Sequence, residues 1–303
     1  MKALLHLNRN RNEFPTTLQH KDLKESSSLI GTQTSPFNKK VVIITGASSG
    51  IGRALALYFA SNGARVVLAA RNVQKLEAVE QEIIESGGQC YVVPTDVTQH
   101  HDCYYLIDKT LDVFGGIDVL INNAGISMRA SFKDVDVNVL ESLMQTNFWG
   151  AVYCTKYALS HLIESGGSLV SISSICGITP LPGRTGYAAS KHALDGFMDT
   201  LRVEHLDSDL HVLSVHPGFT TSNIRNTALN KHGFEQRETP RDEDKKMSSE
   251  EVADEVGRAI IGRKRDSVLT WEGKLITWLY KRATDISDKL IHWEMSKEDD
   301  SPF

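Results

Sequence analysis

The sequence predicts an α/β protein built on a doubly wound parallel sheet. Three observations carry that prediction. Short β-branched apolar runs alternate with helical segments along most of the chain. The runs are nearly continuously apolar, as for strands covered on both faces. Glycines stand where the first run turns into the first helix. Val41-Val42-Ile43-Ile44 is the first run, and Arg53 to Ala60 is a good helix former that Asn62-Gly63 ends. Arg65 to Ala70 predicts a second strand, residues 73–86 a charged helix closed by Gly87-Gly88, and Gln89 to Val93 a third strand. A helix over 99–114 leads to a strand over 117–121. A long helix over 137–165 is interrupted near Asn147, and a strand over 168–172 follows it. A helix over 187–207 and a strand over 211–215 complete the regular alternation.

Residues 219–248 are polar and include the charge-dense run from Arg237 to Lys246, which reads as a solvated loop or a lid over a substrate cleft. Ser248-Ser249-Glu250-Glu251 resembles a helix start, with the helix running to about Arg263, and Ser267 to Thr270 is a candidate last strand. From Gly273 a tail helix carries Leu275, Trp278, Leu279, Ala283, Ile286, Leu290 and Trp293 as an apolar stripe. That stripe fits packing within the chain or against another subunit, a cap on the cleft, or an interfacial membrane helix flanked by Lys274, Lys281, Arg282 and Lys289.

A chain of 303 residues would suit two domains of about 150 residues each, yet α/β units often reach about 250. The pattern gives one domain over 39–265, a flexible leader over 1–38 and an amphipathic extension over 266–303. A formal net charge of -5 offers no global attraction to nucleic acid or anionic lipid. The four cysteines, at 90, 103, 154 and 176, form no C-x-x-C pair, so a disulfide scaffold or zinc ribbon is not expected. His100-His101-Asp102-Cys103 reads as the first turn of a helix rather than a metal site, and no metal is expected. No apolar run approaches the roughly 20 residues that span a bilayer. The first residues lack the basic-then-apolar order of a secretory signal, so a cytoplasmic protein is expected.

Between the first strand and first helix stands Thr45-Gly46-Ala47-Ser48-Ser49-Gly50-Ile51-Gly52. Glycine lets backbone approach a pyrophosphate, and a helix N-terminus offers free N–H groups and partial positive charge. The spacing is G-x-x-x-G-x-G, unlike the P-loop, and it predicts a Rossmann-like dinucleotide site. The second strand ends Ala69-Ala70-Arg71 with no acid to hold the adenosine ribose hydroxyls. Arg71 suits a 2′-phosphate, so NADP(H) is expected over NAD(H).

Tyr187 and Lys191 sit at i and i+4 on one predicted helix face. A carbonyl reduced by hydride needs a proton on its oxygen. A free tyrosine, with a pKa of about 10, supplies one poorly. A lysine ammonium one turn away, with the charge of an oxidised nicotinamide, would lower that pKa. Ser174, thirteen residues before Tyr187 at a strand tip, can hold the substrate oxygen; that spacing favours it over Ser173.

With Asn122-Asn123-Ala124-Gly125 after the fourth strand, these segments make the chain resemble the short-chain dehydrogenase/reductase superfamily, of the TGxxxGxG and YxxxK type. The resemblance covers about 39–222, and more loosely to about 265. It implies Tyr187 as acid/base, Lys191 as the residue that lowers the tyrosine pKa and binds the nicotinamide ribose, and Ser174 at the substrate oxygen. Asn147 would hold the water of a proton relay, although it could instead merely cap an interrupted helix. The resemblance further implies that Gly46, Ser48, Ser49, Gly50, Ile51 and Gly52 cradle the phosphates. Asp96 and Val97 would contact adenine, and Asn123, Ala124 and Gly125 would line the adenosine side. Pro217, Gly218 and Thr220, with Ser222 where the family often has threonine, would approach the carboxamide. His216 reads equally as cleft-lining or core, and Cys176 as a small packing residue.

The function so implied is NADP(H)-dependent interconversion of a carbonyl and a secondary alcohol, on a small to medium apolar substrate such as a steroid or lipid. The resemblance also implies a homodimer or homotetramer. A competing reading is an NADPH-binding sensor or scaffold without turnover, which absence of Tyr187 or Lys191 would have favoured.

Overall fold

A computed structural model describes residues 35–218, 220, 224, 227–236 and 247–297. Residues 1–34, within the predicted leader, lie outside the described residues, as do Ser222 and the whole charge run at 237–246. Seven parallel strands form one sheet in the order β3-β2-β1-β4-β5-β6-β7. They are β1 Val41–Thr45, β2 Arg65–Ala70, β3 Gln89–Pro94, β4 Val119–Asn122, β5 Ser168–Ile172, β6 His211–His216 and β7 Asp266–Val268. Strand β1 pairs with β2 on one side and β4 on the other, so the winding reverses there. A crevice opens at the carboxyl ends of strands where such a reversal occurs.

The β-strand period of two divides the strand side chains between two cores. Val42, Ile44, Val66, Leu68 and Ile121 pack with helices α1 Gly50–Ser61, α2 Val73–Glu85 and α7 Ser249–Ile261. Ile43, Val67, Leu120, Leu169 and Val212 face the opposite layer, made by α3 His100–Phe114, α5 Gly150–Glu164 and α6 Thr185–Glu204. Burial on both faces is why these strands read as continuous apolar runs.

Several boundaries differ from the sequence reading for local reasons. Strand β4 starts at Val119 because Asp118 turns back to β1: its carboxylate accepts the Val41 N–H at 2.8 Å and a Lys40 ammonium proton at 2.7 Å. The domain includes Phe37, placed in the leader, because its ring sits edge-on to Phe59 at 4.8 Å. The long helix at 137–165 is α4 Val137–Met144, then a π-helical turn Gln145–Trp149, then α5. The last strand takes Asp266 to Val268 from the predicted extension, and Thr270 is not part of it. Thr270 instead caps α8 Trp271–Arg282, its hydroxyl accepting the Gly273 N–H at 3.1 Å.

The single tail helix is a correction. The backbone leaves helical geometry at Ala283 (φ -144°, ψ 66°), and α9 Thr284–Met295 begins again. The predicted apolar stripe is also not the packed one. Gly273, Thr277, Ser287, Ile291 and Met295 are buried, whereas Leu275, Trp278, Ile286, Leu290 and Trp293 are exposed. On α8 close approach accounts for part of this: a Cβ on Gly273 would lie 2.9 Å from Thr270 Oγ1 and 3.2 Å from both the Ile175 and Val268 side chains. Among the described residues, no helix is long and apolar enough to cross a membrane.

Candidate functional site

A cavity of about 740 Å³ opens at the carboxyl ends of β1, β4 and β5. Gly46, Ser48, Ser49, Gly50, Ile51 and Gly52 line one wall, with Arg71, Asp96, Val97, Asn123, Ala124 and Gly125 beside them. Ser174, Tyr187, Lys191, Pro217, Gly218 and Thr220 line the other. Among the described residues of the predicted site, Asn147 alone lies behind that lining rather than in it.

The glycine loop is built by exclusion. Gly46 and Gly50 have φ of 69° and 52°, which side chains with a Cβ rarely adopt. Gly52 is required by space: a Cβ there would stand 2.1 Å from the Gly46 carbonyl oxygen. Ser49 occupies the N-cap of α1, yet its side chain makes no capping hydrogen bond. The first-turn amides of a helix have no partner inside it. Such a start, beside a loop that lets backbone come close, fits a pyrophosphate. Arg71 is exposed at the end of β2 and bonds to none of the described residues, and Asn72 next to it is committed to capping α2.

Asn123 differs from expectation in what its amide does. It donates to the carbonyls of Thr45 at 2.8 Å and Gly46 at 3.3 Å. The Thr45 hydroxyl accepts the N–H groups of Asn123 and Ala124, each at 3.0 Å. Asn123 and Thr45 therefore tie the ends of β1 and β4 together under the cavity. Thr45 opens the glycine motif in the sequence but carried no assigned role there, because a threonine ending a strand resembles any β-branched residue. Asp96 is similarly occupied on one oxygen, which accepts from Thr98 N–H at 3.0 Å and its hydroxyl at 2.8 Å. The next residues of α3 are turned to separate partners. His100 meets the Tyr157 hydroxyl at 3.0 Å, and Asp102 accepts the Asp96 N–H at 3.0 Å.

The second wall is stitched through Asn147, held in the π-helical turn. Its Oδ1 accepts the Ile126 N–H at 2.8 Å, and its Nδ2 donates to the Ile126 carbonyl and the Ser190 hydroxyl, each at 2.9 Å. A π turn re-aims a side chain without ending the helix, so the interruption is not a helix end that Asn147 caps. Gly125 separates it from Lys191: a Cβ there would lie 3.2 Å from Asn147 Oδ1 and 3.6 Å from Lys191 Nζ.

Ser174 caps the short 3₁₀ turn Ile175–Gly177, accepting the Cys176 N–H at 3.2 Å, and it lines the cavity beside Tyr187. Lys191 is buried, donates to the Ile172 carbonyl at 2.8 Å and stands 5.8 Å from the Tyr187 ring centre. Burial pushes its ammonium down to about 8, partly opposed by the charge of Asp195.

The Lys191 ammonium alone does not lower the Tyr187 pKa, the other half of that expectation being the charge of an oxidised nicotinamide. Burial drives that pKa well above its usual value, and the Ser174 hydroxyl and Arg184 charge pull it back only in part. Arg184, three residues before Tyr187, was not singled out from sequence. Its Nη1 donates to the Ser127 hydroxyl at 2.9 Å and the Met128 carbonyl at 3.0 Å.

Of the substrate-side loop, residues 227–236 lie along 127–130, where the Leu229 N–H donates to the Ser127 carbonyl at 2.8 Å. His216 is core rather than cleft, 3% exposed, and Cys176 is buried with its thiol pKa raised by burial.

A sequence profile described as short chain dehydrogenase matches residues 40–233. The chain is 38% identical over 237 residues to Dehydrogenase/reductase SDR family member 7B of Rattus norvegicus, across 76% of this chain and 73% of that protein. It is 42% identical over 187 residues to 11-beta-hydroxysteroid dehydrogenase-like 2 of Arabidopsis thaliana, across 61% of this chain and only 60% of that protein. Among solved structures it shares the fold of a short chain dehydrogenase/reductase from Burkholderia phymatum in complex with NAD. That match has a TM-score of 0.75 at 22% identity, over 82% of this chain and 95% of the other.

Proposed function

The chain belongs to the short-chain dehydrogenase/reductase family, and from that premise we propose an NADP(H)-dependent enzyme that interconverts a carbonyl and a secondary alcohol. Membership makes it an oxidoreductase acting on CH–OH groups with a nicotinamide nucleotide. One observation carries the finer reading: Ser174, Tyr187 and Lys191 converge on a cavity whose far wall is the glycine loop and Arg71.

A nicotinamide nucleotide bound there would supply or accept the hydride. The chain's own residues handle the oxygen. Ser174 donates a hydrogen bond to it, and Tyr187 gives the proton that completes the alcohol. Burial raises its pKa, so Tyr187 carries its proton at neutral pH, and the Lys191 ammonium with the nicotinamide charge must offset that burial for the proton to be given. Lys191 is an ammonium below about pH 8, able to favour the tyrosinate left after transfer. Turnover in the reductive direction should therefore fall as pH rises through about 8.

Ile126, Ile175, Leu181, Ile224 and Leu229 line the substrate side of the cavity, which supports an apolar substrate. The plant relative's name supports one of steroid type. The test is NADPH consumption by the purified chain across ketones, aldehydes, quinones and oxo-lipids. Binding of NADPH without oxidation by any of them would defeat the reading.

The cofactor preference rests on Arg71. A charge-assisted hydrogen bond is worth about 1.5–3 kcal/mol, so Arg71→Asp should lower the ratio of NADPH to NADH efficiency by at least about tenfold. Steady-state kinetics with both nucleotides measures this, and an unchanged ratio would count against a 2′-phosphate at Arg71.

A further inference from the structure

Beneath the cavity lies a layer of buried charge. Asp195 follows Lys191 by one helical turn on α6, so the two share a face. Its side chain is 16% exposed, and its Oδ2 accepts the Ser173 hydroxyl at 3.0 Å and stands 3.7 Å from His216 Nδ1. Among the described residues its buried Oδ1 has no hydrogen-bond partner. His216 on β6 also places Nδ1 3.2 Å from the Ser174 carbonyl, and Nε2 3.8 Å from Asp266 Oδ1 on β7. Asp266 meets Arg265 Nε at 3.1 Å. The 3₁₀ turn closes over the carboxylate so tightly that a Cβ on Gly177 would stand 2.1 Å from Asp195 Oδ2.

A buried carboxylate with one unpaired oxygen is costly unless neighbouring charge compensates it. Here the compensation alternates in sign: Lys191, Asp195, His216, Asp266. We propose that Asp195 is a positioning residue that works through Lys191 and Ser174. Its carboxylate anchors the strand end bearing Ser174 by way of Ser173, and supplies the negative charge that retains the Lys191 ammonium. His216 and Asp266 hold that carboxylate in its charged form. The proposal rests on the reading of Lys191 and Ser174 as parts of a reductase site.

The titration of these groups agrees. Burial raises Asp195 to about 6, opposed by His216, Ser173, Lys191 and His192. Burial works to lower His216, yet Asp266 and Asp195 carry it above its usual value. Asp266 is lowered, first by His216 and then by Arg265 and Arg202, against its own burial. Lys191 faces Asp195 and the Cys176 thiol, both of which raise it against burial. Between about pH 6 and about pH 8, then, the Asp195 carboxylate and Lys191 ammonium coexist. Removing the carboxylate charge must move loss of the Lys191 proton to lower pH.

The test uses the full chain labelled with ¹³C at the lysine ε-carbons, the Lys191 signal being assigned by its disappearance in Lys191→Arg. In Asp195→Asn the Lys191 midpoint should fall by about one pH unit. The alkaline limb of kcat should move with it, while KM for NADPH stays within about twofold. Ser173→Ala retains the charge and should lower kcat without moving the midpoint. If Asp195→Asn does not fold, His216→Gln serves instead: loss of its positive charge should shift the acid limb of kcat to higher pH. An unmoved Lys191 midpoint in folded Asp195→Asn, or an unmoved acid limb in His216→Gln, overturns the proposal. A wild-type chain that reduces no carbonyl defeats the reductase reading, while the lysine titration still decides the role of Asp195.

Discussion

Tyr187→Phe should lose turnover by roughly 10²- to 10⁴-fold, the usual contribution of a positioned acid or base, with NADPH affinity nearly unchanged. The buried ring that fills the site is kept, and only the hydroxyl is removed. Loss of one hydroxyl should cost no more than about 1 kcal/mol of stability, so the variant should fold. Stopped-flow hydride transfer and fluorescence titration of NADPH measure the two halves. A variant that reduces substrate within a few-fold of wild type would remove Tyr187 from the chemistry. A variant that lost NADPH binding as well would mean the residue holds the cofactor site together rather than supplying a proton.

Gly52→Ala should cost the cofactor site more than any substitution that changes a contacting side chain. The added methyl would lie 2.1 Å from the Gly46 carbonyl oxygen and 2.6 Å from Asn123 Nδ2. One neighbour is backbone, and the other belongs to the brace that ties β1 to β4. Neither can yield without opening the loop, so an overpacking cost of about 1–3 kcal/mol is expected in stability. NADPH affinity should drop by at least tenfold, about 1.4 kcal/mol. Gly116→Ala is the control, since a Cβ there meets nothing within 4 Å. Thermal unfolding with and without NADPH reads both effects. If Gly52→Ala matches Gly116→Ala in both, close backbone approach is not what the glycine provides.

The order of strands and helices was legible because burial on two faces writes itself into composition: Val41 to Ile44 and Leu169 to Val170 could hardly be anything but covered strands. The glycine loop was legible because positive φ and sub-van der Waals spacing both exclude side chains, leaving a mark that survives without coordinates. Tyr187 and Lys191 were legible because one helical turn separates them. Other features join residues that are remote in sequence. Asn123 reaches back 78 residues to Thr45, and Asn147 reaches 43 residues forward to Ser190. The Asp195–His216 contact joins a helix to a strand, and neither residue type is unusual where it stands.

The tail shows the same division. Periodicity identified its helical character, but which side packs was decided by the neighbours it meets, as where Gly273 of α8 comes close to Ile175 and Val268 at the sheet edge. The sequence by itself determined the doubly wound alternation, the cradle for a dinucleotide and the tyrosine–lysine pair, because each depends on local spacing and sterics. Only the tertiary structure decided that Tyr187 is held as a phenol, that Lys191 is drawn down to about 8, and that Asp195 lies beneath it. Those outcomes depend on burial and on charges brought together from different elements, and a dielectric environment has no signature in a linear chain.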